Sequence, residues 1–474
     1  VILFNDTNLS RGRRQAAVEY LSEFLGNELP PDLKVMLIRY DGGMRVEQPF
    51  SEETDEVISA LERIKGSASL SRRFDENRIL LEIDTATTAT NTVGSEFRRS
   101  QEYLEVSARS LLQDIDSYAD RTVQQVRSNL EDQKQLIRSL SGLNGRKAVL
   151  LVTDGVEQRV GQMLYGAWAE AFEDVPGFEL EARRAILQSN RNNLTREFNE
   201  LIHYANGHRV SFYTLSSMGS GLARASSAER RRIDTEGLAI NQEISEEVTM
   251  AYVAGSTGGR PLGNSPALAA QLDEVSVELG SYYSLAFEPT HLGDGKYHRL
   301  EVRLKDMKGV GIRHRDGYMD VPLTDRIVDR TLAAAVHGID DNPLGITLAT
   351  NGAFVPRDDG TVLVPVIITV PIGELVLIPS EDEHRGQISI LLTVKDDRGR
   401  LSPPQMREYP VPVPNAELAS ALNQGAGFTL RLAMRPGRQR IAVGVRDDIA
   451  RTEAVTAIEI FVDGTQSEGE ADRQ

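Results

Sequence analysis

Short apolar runs alternate with amphipathic stretches over the first two thirds of the chain. Val1 to Asn5, Leu33 to Tyr40, Lys147 to Val152 and Arg209 to Leu215 read as strands, the first and third apolar enough to be buried on both faces of a parallel sheet. Between the first two, Ala16, Ala17, Tyr20, Leu21 and Phe24 share one face of a helix that Ser10 can cap. Asp41-Gly42-Gly43 turns the second strand toward Met44 to Phe50, and Ser51 opens a helix carrying Val57, Ile58, Leu61 and Ile64. Ser281 to Phe287, His298 to Leu304 and Val310 to His314 follow with short turns, so the sheet is expected to end in antiparallel strands. Together these predict a doubly wound, mostly parallel α/β domain over residues 1–320.

Two stretches break the rhythm. In residues 98–141 Leu104, Ala108, Leu111, Ile115, Tyr118 and Thr122 recur at three- and four-residue steps, which predicts a long helical insertion. Residues 179–205 predict a second helical stretch. Either they pack on the sheet and on each other, or the insertion projects as an arm that mediates homo-oligomeric assembly. After residue 320 the pattern changes. Residues 321–342 predict a linker helix, and residues 343–463 predict an all-β sandwich of short strands separated by Asp-Asp-Gly, Asp-Asp-Arg-Gly and Pro-Gly turns. Residues 464–474 are polar and acidic and are expected to be disordered.

Composition narrows the function classes. A net charge of −17 disfavours nucleic acid and anionic lipid as partners, and no basic run along the chain reverses that. The chain has no cysteine, which removes disulfides, thiolate metal sites and cysteine nucleophiles. No apolar run reaches the ~18 residues needed to span a membrane. A buried-strand pattern is already under way at Val1, which points to a segment upstream and leaves open whether a signal peptide precedes it.

Candidate chemistry sits at strand ends. In an open parallel sheet, ligands bind at the carboxyl ends of the strands, where strand order reverses. Asp6 follows the first strand in Asp6-Thr7-Asn8-Leu9-Ser10, and Asp154 follows another in Thr153-Asp154-Gly155. Asp6, Ser10 and Asp154 could hold a hard divalent cation through oxygen, with waters completing the shell. Equally, Asp6 and Ser10 can cap a helix and Asp154 can serve a turn. Paired strand-end aspartates also occur in phosphoryl transfer, so Asp6 and Asp154 could serve a metal-dependent phosphohydrolase, but no lysine or arginine is evidently placed for the phosphate. The 7 histidines show no i, i+4 ligand pair. Thr257-Gly258-Gly259 reads as a structural turn, and Trp168 as core.

The order strand–Asp-x-x-x-Ser–helix, then strand–Thr-Asp-Gly, resembles a von Willebrand factor A domain, and more narrowly the bacterial VWFA-related proteins of acidobacterial type. Further matching motifs are Phe212-Tyr213-Thr214-Leu215, Thr257-Gly258-Gly259, Tyr282-Tyr283-Ser284-Leu285, Gly317-Tyr318, Asp341-Asn342-Pro343-Leu344 and Ala442-Val443-Gly444-Val445-Arg446-Asp447. The resemblance covers nearly the whole chain. It implies a non-enzymatic protein-binding or adhesion module, secreted, periplasmic or on the cell surface. It also implies a metal-ion-dependent adhesion site for Mg²⁺ or another divalent cation. Asp6, Ser10 and Asp154 match that site. Asn8 stands where its first serine belongs, and its distant threonine, sought in Thr85 to Thr92, has no assigned counterpart, so the site is expected to be degenerate.

Overall fold

β1 (Ile2–Asn5) is four residues long and wholly buried, and it takes a parallel neighbour on each side. The computed structural model describes all residues except 10, 28, 31–32, 67–72, 89–96, 217–234, 264–267, 288–293, 306, 308, 351–353 and 464–474; at 8, 73–74, 88, 97–102, 216, 235–244 and 323 it describes the backbone alone. Ser10 as a helix cap, the threonines beyond Thr88 and the acidic tail therefore lie outside the described residues. Among those residues, no helix is long and apolar enough to cross a membrane. Two compact units emerge: Val1–Leu136, Arg146–Pro289 and Tyr297–Met319 form the first, and Ile137–Gly145, Thr290–Lys296 and Asp320–Gln474 the second.

The first unit is built on a six-stranded sheet in the order β3-β2-β1-β4-β5-β6. β2 (Val35–Tyr40), β4 (Lys147–Thr153), β5 (Val210–Ser216) and β6 (Pro261–Leu262) run parallel to β1, and β3 (Met44–Ser51) is the antiparallel edge. On one face Ile2, Phe4, Leu37 and Leu215 pack with α1 (Arg11–Gly26), α2 (Thr54–Lys65) and α9 (Leu268–Gly280), the last following α8 (Thr235–Ser256) in the chain. The apolar positions of α2 recur as Val57, Ala60, Leu61 and Ile64, all buried, as the 3.6-residue period requires.

α3 (Arg73–Thr88) takes in Thr85 and Thr87, whose hydroxyls donate to Leu81 and Ile83 carbonyls of their own helix. α4 (Phe97–Ser141) is 45 residues long. Its stripe of Ala108, Leu111, Ile115, Tyr118, Val123, Val126 and Leu130 is buried. Tyr118 donates to Glu76 of α3, and Tyr165 of α5 (Gln162–Phe172) donates to Asp116 at 2.7 Å. The stripe is therefore core, and it is not presented as a projecting arm.

The second helical stretch is two helices, α6 (Glu179–Arg191) and α7 (Thr195–Gly207). The break comes where Leu194 N–H donates to the Gln158 carbonyl at 2.7 Å and Asn193 Oδ1 accepts from Thr195 N–H. Trp168 is fully buried, and its Nε1–H reaches the Ala108 carbonyl at 2.8 Å.

The expected antiparallel ending of this sheet is not found. β6 pairs parallel with β5, and residues 281–287 and 310–314 form no strand. Among the described residues, β7 (Tyr297–Arg299) and β8 (Gly317–Met319) pair there as a separate two-stranded sheet. A β-like run needs a neighbouring edge to pair with, and the pattern of Tyr282, Tyr283, Leu285 and Phe287 carries no information about one; all four are exposed.

The second unit holds α10 (Leu323–His337) and two antiparallel sheets that share one core. One sheet sets β11 (Val362–Pro371) against β9 (Thr347–Thr350), β10 (Val355–Pro356) and β15 (Gly425–Met434). The other runs β14 (Gln405–Pro414), β13 (Glu383–Asp396), β16 (Gly437–Asp447) and β17 (Glu453–Val462), with β12 (Ile378–Pro379) also on β13. Val362, Val364, Val366, Ile368 and Val370 alternate into the core with the period of two that a half-buried strand demands. Pro410, Pro412 and Pro414 stand in β14 and obscure its strand pattern in the sequence. Among the described residues it pairs only with β13, and an edge strand tolerates proline.

α10 lies on the outside of the β13–β16 sheet. Gly444 permits the approach, since a Cβ there would stand 2.1 Å from Thr331 Oγ1. The last carbonyls of α10 receive cations: Lys395 Nζ donates to Val336 O at 3.3 Å and Arg440 Nη1 to the same oxygen at 3.1 Å. His337 is caught beside them with its Nε2 3.2 Å from Ser139 Oγ.

Two outcomes follow. Trp168→Ala removes a fully buried ring and should cost about 3–5 kcal/mol of first-unit stability, read from the urea midpoint. Burial, with Lys395 and Arg440 adding to it, lowers the His337 pKa from 6.5 to about 4. The folded state thus favours neutral imidazole. That contribution is complete above the unfolded pKa and is lost as pH falls through the window down to about 4, a loss of roughly 3 kcal/mol. A pH series of melting curves should show this slope in the wild type and a flatter one in His337→Gln.

Candidate strand-end site

Strand order reverses at β1, whose neighbours β2 and β4 lead away in opposite directions. β1 and β4 run parallel with Phe4 beside Val152, so Asp6 and Asp154, each two residues further on, leave the sheet side by side. Asp6 opens a short 3₁₀ turn, Asp6–Asn8, and Asp154 precedes Gly155. Gly155 has φ +97°, and a Cβ there would stand 2.7 Å from Glu246 Cβ, so both conformation and space require glycine after this aspartate.

Both carboxylates are almost fully buried, with side-chain exposures of 1%. Each meets an arginine from the first turn of α1. Arg14 Nε donates to Asp6 Oδ1 at 3.0 Å, and Arg13 Nη1 lies 3.3 Å from Asp154 Oδ1. Arg39 of β2 stands 3.9 Å from the other Asp6 oxygen and 3.2 Å from Glu47 of β3. Burial raises the Asp6 pKa above the ordinary carboxylate range, opposed by the Arg14 and Arg39 guanidiniums. Arg14 is itself wholly buried, whereas Arg13 keeps 19% of its side chain exposed.

Of the four predicted site residues, the structure brings Asp6 and Asp154 to one edge. Ser10 and the side chain of Asn8 lie outside the described residues. Among those residues, no three His, Cys, Asp or Glu side chains gather as metal ligands do. The sequence reading missed the arginines, although a signal was present. Basic residues oppose the positive end of a helix dipole, and α1 opens Arg11-Gly12-Arg13-Arg14 with no acid in its first turn. Such a start calls for carboxylates from elsewhere, and Asp6 and Asp154 are those carboxylates.

Beneath the site is a cavity of about 20 Å³, the size of one water, lined in part by Asn5, Thr7, Thr122, Asn129, Gln133 and Thr153. Gln133 Nε2 donates to Asn129 Oδ1 at 2.6 Å, so α4 turns polar side chains toward the strand ends. Further along, Thr257 is a structural tie: its hydroxyl accepts from Phe212 N–H at 2.9 Å and donates to the Val253 carbonyl.

No protein-family model and no curated protein matches the chain. Among solved structures it is similar to an aerotolerance-related membrane protein from Bacteroides fragilis carrying multiple mutations to serine. That match has 15% identity, covers 58% of this chain and 97% of the other, and has a TM-score of 0.24. It is also similar to the Northeast Structural Genomics Consortium target SoR45, at 11% identity over 28% of this chain and 98% of the other, with a TM-score of 0.18. Likenesses at these scores carry no argument about fold or function.

Arg14→Ala would leave the Asp6 carboxylate buried beside a lost partner and should destabilise the first unit by about 3–5 kcal/mol. Arg14→Met combined with Asp6→Asn should recover most of that loss, and a double-mutant cycle by urea denaturation measures the coupling.

Proposed function

We propose that the chain is a non-enzymatic protein-binding module of von Willebrand factor A type, in which arginines of α1 supply the charge that a divalent cation would otherwise bring. The observation that carries this is the pairing of both strand-end aspartates with guanidiniums from one helix turn. A Mg²⁺ ion needs oxygen ligands at about 2.0–2.1 Å and strong negative charge around it. Here Asp6 and Asp154 already engage cations at 3.0 and 3.3 Å, and an added ion would be repelled by Arg13, Arg14 and Arg39 together. The two aspartates described are already occupied by guanidinium.

The same burial argues against the phosphohydrolase reading. An Asp6 carboxylate 1% exposed and held by Arg14 cannot approach a phosphate ester without leaving its partner. Arg13 faces Asp154 through Nη1 and keeps 19% of its side chain exposed, so it is the part of this pair that a carboxylate or carbonyl group of a partner protein would meet. The sequence resemblance supports a location outside the cytoplasm or at the cell surface.

Titration calorimetry with Mg²⁺, Mn²⁺ and Ca²⁺ should give no saturable heat, and melting temperature should not move. Saturable heat that disappears in Asp6→Ala would restore the metal-site reading. Proteins captured by the wild type should be lost with Arg13→Glu, its fold checked by circular dichroism; an unchanged set of captured proteins would remove this face as the binding surface.

A further inference from the structure

Alternation along the strands assigns the two faces of the first sheet. Phe4 and Val152 pack into the core that α1 covers, so Asn5 and Thr153, one position on, turn to the opposite face, where α4 lies. On α4, steps of three and four bring Thr122, Val126, Asn129 and Gln133 to the side that meets these strand ends. Three of those four side chains are polar, yet Thr122 and Gln133 are 3% exposed and Asn129 is 7% exposed. Polar groups buried on a helix face need hydrogen-bond partners.

The chain does not supply all of them. Gln133 Nε2 donates to Asn129 Oδ1 at 2.6 Å, which leaves Gln133 Oε1 and Asn129 Nδ2 buried and unpaired. Tyr40 of β2 stands near enough to Asn129 to take a share of its proton, whereas Gln133 Oε1 has no partner among the described residues. Turning both amides over exchanges the roles and still leaves one donor and one acceptor.

Both amides line the cavity beneath the strand ends, together with Thr122, Thr153, Asn5 and Thr7. Thr153 Oγ1 accepts from Gly155 N–H at 3.2 Å and still has its own proton to give. Thr7 Oγ1 donates to Asn5 Oδ1 at 2.7 Å and keeps lone pairs. A cavity of about 20 Å³ with a polar lining suits one water, and cavities that stay dry are apolar. A cation would satisfy the oxygens but not the amide donor; a water gives and takes at once.

We infer that this cavity binds one water molecule, which donates to Gln133 Oε1 and accepts from the Thr153 hydroxyl, joining α4 to the loop that carries Asp154. Gln133 is then a positioning residue. Through the water and Thr153 it steadies the Gly155 amide, next to Asp154. The water is held whatever the strand-end edge binds.

The test uses the full chain. A high-resolution crystal structure of the wild type should show one water about 2.7–3.2 Å from the Gln133 amide. Empty density there, or xenon entering under pressure without displacing a water, would overturn the inference. Neither measurement needs a variant, so both decide the question even if a variant does not fold. Gln133→Met keeps a similar volume and offers no amide. Oxygen-17 relaxation dispersion should count one long-lived water fewer in it than in the wild type; an equal count would overturn the assignment. In the same variant the Gly155 amide should exchange its hydrogen about fivefold faster, with the backbone amide of Trp168 unchanged. Faster exchange at both would mean general loosening and would remove the positioning role. Melting temperature should be the same in potassium, sodium and choline chloride; a difference that Gln133→Met abolishes would replace the water with a cation.

Discussion

Two carboxylates delivered to the same edge of a buried sheet must be neutralised, and that constraint organises the first unit. β1 hydrogen-bonds to β2 and β4 together, so Asp6 and Asp154 meet although 148 positions separate them. A buried carboxylate without a cationic partner is strongly destabilising. α1 answers by starting with arginines, at the cost of opposing its own dipole. The dipole penalty is a few tenths of a kcal/mol to ~1 kcal/mol, while a buried unpaired carboxylate costs several, so the exchange favours the arginines.

Much of this was legible in the sequence. The core strands of the first sheet, the helix face of α2 and the long α4 follow from periodicity, whereas α1 buries Val18 and Leu25 in place of Ala16 and Phe24. Asp6 and Asp154 were placed correctly at strand ends by the same logic. Their partners were not, because a guanidinium at Arg14 counts as a surface charge until the sheet order shows which carboxylates it faces.

The misreadings share a cause. Residues 281–287 and 310–314 have strand composition but no strand partner, and β14 has a strand partner but not strand composition. Pairing decides a strand, and pairing is a property of neighbours that a local pattern does not contain. Among the helices, α3, α5, α8 and α9 have no counterpart in the sequence reading. The second predicted stretch is interrupted at Asn193, where a bridge to Arg159 sets the end of one helix and the start of the next.

Trp168 is the one tryptophan of the chain, and it sits in the core of the first unit. Its emission is therefore blind to the second unit. Far-ultraviolet circular dichroism sees both units, since strands and helices occur in each. Any separation between the two signals along a denaturant series would measure how independently the units unfold, with no label or truncation introduced.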